Sequence, residues 1–191
     1  MWRLTPTEAG RSLIELQQVA ERLHLGSHGV PNFLLLLAKS RPSMNAYLQA
    51  QEALAKGKLT PQQREQIALA VAQINGSDYC TSAHERSARS VGLSEEEIKM
   101  SEQAAAKDSK TQALLHFVQS IVLQRGEISD HDFSAMRHTG FSEEEIIEVL
   151  ANVALNIFAN YFNLLAQTDL DHPRSRAGQH APLPVQEVSE R

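Results

Sequence analysis

Two near-identical stretches, GLSEEEI at 92–98 and GFSEEEI at 140–146, constrain the fold of this chain more than any other feature. In each, a glycine ends one helix and Ser-x-x-Glu opens the next as a capping box, Ser94 with Glu97 and Ser142 with Glu145. The copies lie 48 residues apart. That spacing fits two helix-hairpin units packed by pseudosymmetry, and equally two good capping boxes in unrelated places. At this offset Cys80 falls opposite Ile128 and His84 opposite Asp132, so only the first copy would carry chemistry. Helix punctuation continues elsewhere. Thr5-Pro6 opens an amphipathic segment to about Leu23, ended by Gly26 and Gly29, and GVPNFLLLLAKSRP gives a short apolar helix closed by Pro42. Residues 43–56 form another, stopped by Gly57, and Thr60-Pro61 starts PQQREQIALAVAQI, which halts at Asn75-Gly76. A further helix runs from Ser77 to Gly92. No strand-length alternation flanked by hairpin turns occurs, so the fold class is all-α, an antiparallel helical bundle.

One domain over residues 1–171 is expected, with the Pro-rich, charged stretch at 172–191 as an extended tail. Hydrophobic residues make up 42% of the 191, and aromatics only 5%, which leaves Leu, Ile, Val and Ala to build a core. The formal charge of -5, without a basic block, argues against nucleic acid. The single cysteine rules out an internal disulfide and fits a reducing compartment. The opening MWRLTPTEAGRSLIEL has no apolar core of a signal peptide, and FLLLLA at 33–38 is too short to span a bilayer. A cytoplasmic protein without a membrane partner is the expectation.

The chemistry concentrates in NGSDYCTSAH, residues 75–84. Ser77 is placed to cap the helix, which puts Cys80 in its first turn, where free amides and the positive helix end favour a thiolate. On this reading Cys80 ionises below the free-cysteine value of about 8.5. His84 lies one turn later on the same face, within reach of the sulfur. The short Asn75-Gly76 turn folds helix 61–74 back antiparallel, and counting back from it brings Glu65 opposite His84. A carboxylate there orients an imidazole, as a base and its orienter require. Each residue also has a plain reading: a buried small hydrophobe for Cys80, a surface histidine, and a first-turn carboxylate.

From GVPNFLLLLAKSRP through LTPQQREQIALAVAQINGSDYCTSAHERSARSVGLSEEEI the chain resembles the carboxymuconolactone decarboxylase and alkylhydroperoxidase-D-like superfamily, and NIFANYFN resembles its peroxidase-related branch. Peroxidase members of that superfamily carry Glu, then Cys-x-x-Cys, then His. Carried over, the glutamate falls on Glu65, the cysteine positions on Ser77 and Cys80, and the histidine on His84, with Tyr79 in a supporting position. The resemblance implies an alkylhydroperoxidase-D-like bundle, commonly a trimer or hexamer. It implies that Cys80 attacks a hydroperoxide and that Ser77, which stands where the resolving thiol would be, closes no disulfide. An external thiol is then the reductant, and no cofactor is implied.

The last long helix, from Ser142 to about Asp169, is apolar around much of its circumference, and is expected to be central or buried against another copy of the chain. Asn156, Asn160 and Asn163 share one of its faces, either bonding within the core or lining the site beside Cys80. His24, His28, His116, His131, His138, His172 and His180 form no metal-ligand spacing. Three functions remain: a thiol peroxidase acting through Cys80, a non-redox acid–base enzyme of the decarboxylase type acting through His84 and Glu65, and a non-catalytic oligomeric module.

Overall fold

The computed structural model describes residues 3–4 and 30–171 of the chain. The expected first helix and the tail at 172–191 lie outside the described residues. Among the described residues there are eight helices and no strand: α1 (Asn32–Leu37), α2 (Arg41–Ala55), α3 (Pro61–Ile74), α4 (Asp78–Ser90), α5 (Glu95–Glu102), α6 (Ser109–Leu123), α7 (Asp130–His138) and α8 (Glu143–Ala166). Pro42 does not close α1. Ser40 caps α2, its hydroxyl accepting from the Ser43 amide, and Pro42 sits in the first turn of α2, where a missing N–H costs nothing.

The caps form as the local sequence dictates. The Ser94 hydroxyl accepts from the Glu97 amide at 3.3 Å while the Glu97 carboxylate accepts from the Ser94 amide at 2.8 Å. Ser142 and Glu145 repeat this at 3.2 and 2.7 Å, and Thr60 and Gln63 do the same for α3. Gly92 and Gly140 take φ near +90°, the left-handed turn that ends α4 and α7. The next residue closes each turn, Leu93 N–H on Ala88 C=O and Phe141 N–H on Met136 C=O, with Leu93 and Phe141 buried.

The repeat therefore holds at α3 and α6 and at α5 and α8, whose starts are 48 residues apart. It slips in between. Helix α7 starts four residues later than that offset would place it, so its third residue, Asp132, is the counterpart of Cys80 in α4, and Met136 that of His84. Ser129 caps α7 as Ser77 precedes α4, and buried Asp132 accepts from the Ser120 hydroxyl. The second unit carries a carboxylate and a thioether where the first has its thiol and imidazole.

Helix α3 is the hub. Six consecutive residues, Ile67 to Ala72, are each no more than 2% exposed, so every side of the helix is covered. It packs against α4, α5, α6 and α8. The long helix α8, expected to be central or buried against another copy of the chain, buries Val149, Val153, Ala159 and Ala166 on one side and leaves Ile147, Leu150, Tyr161 and Leu165 half or more exposed on the other.

Because Glu97 and Glu145 accept these cap bonds, their carboxyls are held below the usual value, Glu97 chiefly by the Ser94 side chain and Glu145 chiefly by the Ser142 amide. Groups with depressed folded pKa values stabilise above the unfolded value of about 4.3 and lose that stabilisation as pH falls through the folded one. Urea unfolding should show Ser94→Ala and Ser142→Ala each costing about 1 kcal/mol at neutral pH. The two losses should add, and both should shrink in strong acid, where the carboxyls are protonated.

Candidate functional site

The α3–α4 hairpin brings Glu65 and His84 together as counting across the turn implies. Glu65 Oε2 lies 2.8 Å from His84 Nδ1, and the Ser87 hydroxyl, one turn along α4, donates to Oε1 at 3.0 Å. Both oxygens of one carboxylate are thus held by a single face of α4. A carboxylate only accepts, so Nδ1 carries the proton in this bond and Nε2 is the nitrogen left to take one up. The pair is about one-fifth exposed, at the rim of the core.

Cys80 lies one turn before His84 but is 4% exposed. It packs in an apolar cluster with Phe33, Leu34, Leu37, Leu48, Ala72 and Ala159, contributed largely by α1 and α2. Its hydrogen bond comes not from His84 but from α8: Asn163 Nδ2 lies 3.3 Å from Sγ. Burial pushes the thiol above its ordinary value, opposed by Ser77, Asn163 and Asn160, which all favour the anion. The thiolate-favouring helix start therefore loses to desolvation, and the expectation of an acid-shifted Cys80 is reversed.

Ser77 occupies the position before α4 yet makes no side-chain cap bond. Its hydroxyl is buried without a well-aligned partner, as are Asn160 Nδ2 and Asn163 Oδ1. Ser77 and Asn160 face the sulfur closely enough to favour its ionisation, without the alignment of a full hydrogen bond. Of the asparagine row, Asn160 Oδ1 accepts from Asn75 at 3.0 Å. Asn156 turns back to the Asn152 carbonyl of its own helix and takes no part. Two of the three thus line the site, within one copy of the chain.

Tyr79 serves a different purpose. Its hydroxyl donates to Asp171 at 2.5 Å and accepts from the Phe33 amide at 3.1 Å, and Asp171 also accepts from the Asn32 amide. This latch ties the start of α1 to the chain beyond α8, and burial followed by Asp171 drives the phenol's pKa far up. One residue escaped the sequence reading altogether. Tyr47, a partly buried side chain, lies within electrostatic reach of both Cys80 and Glu65; desolvation, then Cys80, then Glu65 raise its pKa. Only its place on α2, one turn before Gln51, hinted at a polar inward role. Among the described residues no group of three or more acidic, histidine or cysteine side chains is arranged to hold a metal.

Residues 42–115, which contain Tyr47, Glu65, Ser77, Cys80 and His84, match the carboxymuconolactone decarboxylase family. The match covers 74 of the 191 residues, and over that segment the chain is similar to this family. No curated protein matches the sequence. Among solved structures, a peroxidase-related protein from Ralstonia eutropha JMP134 with an alkylhydroperoxidase AhpD core superposes with a TM-score of 0.78 at 22% identity, covering 89% of this chain and 92% of that one. A peroxidase-related protein from Silicibacter sp. TM1040 gives 0.75 at 21% identity over 88% and 91%. A cysteine-to-alanine variant of the debrominase Bmp8, in complex with 2,3,4-tribromopyrrole, gives 0.75 at 19% identity over 88% and 91%. Likeness at this identity is one of fold: the all-α bundle described above is shared with these structures.

Because the folded thiol's pKa is raised, stability is unaffected by Cys80 below the unfolded value of about 8.5 and falls as pH rises from there towards the folded value. Thiolate absorbance should titrate with a midpoint above about 8.5, and Asn163→Leu should move it higher by removing a donor. A midpoint on the acid side would refute the dominance of burial. Ser77→Ala, which removes no cap bond, should cost well under the roughly 1 kcal/mol expected at Ser94 or Ser142.

Proposed function

We propose that the protein is a peroxidase-like thiol oxidoreductase that reduces small hydroperoxides through Cys80, with an external thiol as reductant. The observation that carries this reading is the seat of Cys80: its sulfur takes a hydrogen bond from Asn163 and sits one helical turn from an imidazole already oriented by Glu65. His84 accepts the thiol proton, and the sulfur lone pair attacks the terminal peroxide oxygen. The O–O bond breaks, the departing alkoxide takes the proton as an alcohol, and Cys80 is oxidised by two electrons to a sulfenic acid. One molecule of external thiol then displaces water to form a mixed disulfide, and a second restores the Cys80 thiol and leaves as the disulfide. Ser77 stands where a resolving thiol would close the cycle internally. The low exposure of Cys80 favours small hydroperoxides over bulky ones.

A second reading has its own support. The Glu65–His84 pair is more exposed than the thiol and is fully formed without it, as a non-redox acid–base enzyme on a small carboxylated or lactone substrate would need.

The proposal extends to assembly in the cytoplasm. Ile147, Leu150, Ala154, Phe158, Tyr161 and Leu165 recur every three or four residues along the open side of α8, a seam of the kind that pairs helices. A second copy of the chain is the proposed cover, giving a homo-oligomer.

Hydrogen peroxide followed by intact-mass measurement and a sulfenate trap should add one oxygen to the wild type and none to Cys80→Ser. His84→Ala and Glu65→Gln should slow that addition by about a hundredfold or more. A folded protein whose Cys80 stays inert would remove the peroxidase reading. Lactone or decarboxylation turnover that survives Cys80→Ser but not Glu65→Gln would establish the second. Sedimentation should report an oligomer that Leu150→Glu with Tyr161→Glu dissociates, and a well-folded monomer at micromolar concentration would count against it.

A further inference from the structure

Ser77, Asn160 and Asn163 are the side chains that bear on the Cys80 sulfur, Asn163 Nδ2 at 3.3 Å from it, and each keeps one buried polar atom without a well-aligned partner: the Ser77 hydroxyl, Asn160 Nδ2 and Asn163 Oδ1. Their residues are 1%, 0% and 4% exposed. Buried polar groups without partners are rare and costly, and three in one place call for a cause. The orientation of Asn163 is set by chemistry: its Nδ2 lies 3.0 Å from the Ala159 carbonyl, which can only accept, so its oxygen must face away from that carbonyl. Asn160, its Oδ1 taken by Asn75, presents its nitrogen.

The set is two donors and one acceptor. A bare thiolate has no proton to give, so it would leave Asn163 Oδ1 unsatisfied. A neutral sulfenic acid, Cys80–S–O–H, has an oxygen that accepts twice and a proton to donate once. We propose that Ser77, Asn160 and Asn163 form a preformed cradle for the neutral sulfenic acid of Cys80, the oxygen accepting from Ser77 and Asn160 and the hydroxyl donating to Asn163 Oδ1. This rests on the peroxidase reading and adds to it a stored oxidised state. The two-electron oxidation that makes it is the peroxide step already written, and the cradle acts on its product. With the sulfenic hydroxyl engaged and the sulfur shut in apolar walls, a second peroxide is denied the anion it would need to convert –SOH to –SO₂H with loss of an alcohol or water.

The test uses the full chain, hydrogen peroxide, intact mass and a sulfenate trap applied after increasing delays. The wild type should hold one oxygen and resist a second under excess peroxide. Asn163→Leu and Asn160→Leu, close in volume to asparagine, should take the first oxygen more slowly, and the oxidised fraction, isolated free of peroxide and then challenged, should lose the trappable form or advance to two oxygens about tenfold faster or more than oxidised wild type. Ser77→Ala, which removes only an unpaired hydroxyl, should act in the same direction and decides the matter if a leucine variant does not fold. Equal lifetimes and equal over-oxidation in wild type and all folded variants would overturn the cradle while leaving the peroxidase reading intact. A folded wild type that takes up no oxygen overturns both.

Discussion

Everything described here hangs on the burial of α3 from all sides. A helix covered at six consecutive positions offers no solvated face, so every neighbour must bring apolar surface or a satisfied polar group to it. Alanine at positions 68, 70 and 72 keeps that approach close. The helix leaves the core only in its first turns, and Glu65 sits at the point of exit, one residue before Gln66 becomes buried. A carboxylate is affordable there because α4 meets it at once with an imidazole and a hydroxyl. One residue further along, the same side chain would be an unpaired charge in a packed interior, so the rim of the hub largely determines where an acid–base pair can stand.

The sulfur lies on the other side of that boundary. Its neighbours are aromatic and aliphatic side chains of α1 and α2, and its polar company is supplied by α8, from more than eighty residues away in the chain. The site thus joins two environments one helical turn apart, a dry one holding the thiol and a half-wet one holding the imidazole. Local consistency rules that hold at Ser94 and Ser142 fail at Ser77, where a residue at a helix start leaves the backbone uncapped. Departures of this kind gather where function competes with stability.

What was legible in the sequence was what short-range chemistry decides. Capping boxes, the Gly92 and Gly140 turns and the Glu65–His84 pairing across a two-residue turn all follow from neighbours within a hairpin. Pro42 was misassigned because a proline both stops one helix and suits the first turn of the next. The slipped register of α7 was hidden because the copied capping boxes on either side of it stayed in step. The dryness of Cys80 was not legible at all, since it depends on Phe33, Leu34 and Leu48 arriving from separate elements. Tyr47 was missed for the same reason. The asparagines of α8 were visible as a row, but only packing could divide Asn160 and Asn163, which meet the site, from Asn156, which bonds its own helix.

The missing cap at Ser77 also bears on how fast anything can reach the thiol. A helix start without its cap bond lacks one restraint that its capped neighbours have, and a thiol only 4% exposed meets a reagent when its surroundings open. The turn in question is the one that carries Cys80. The reactivity of a sealed thiol is then the product of two quantities, the fraction of time its turn stands open and the intrinsic reactivity of the thiol during that time. Such a residue admits oxidants that fit the opened turn, which keeps the advantage with small ones, and its rate carries the temperature dependence of the opening as well as that of the chemistry.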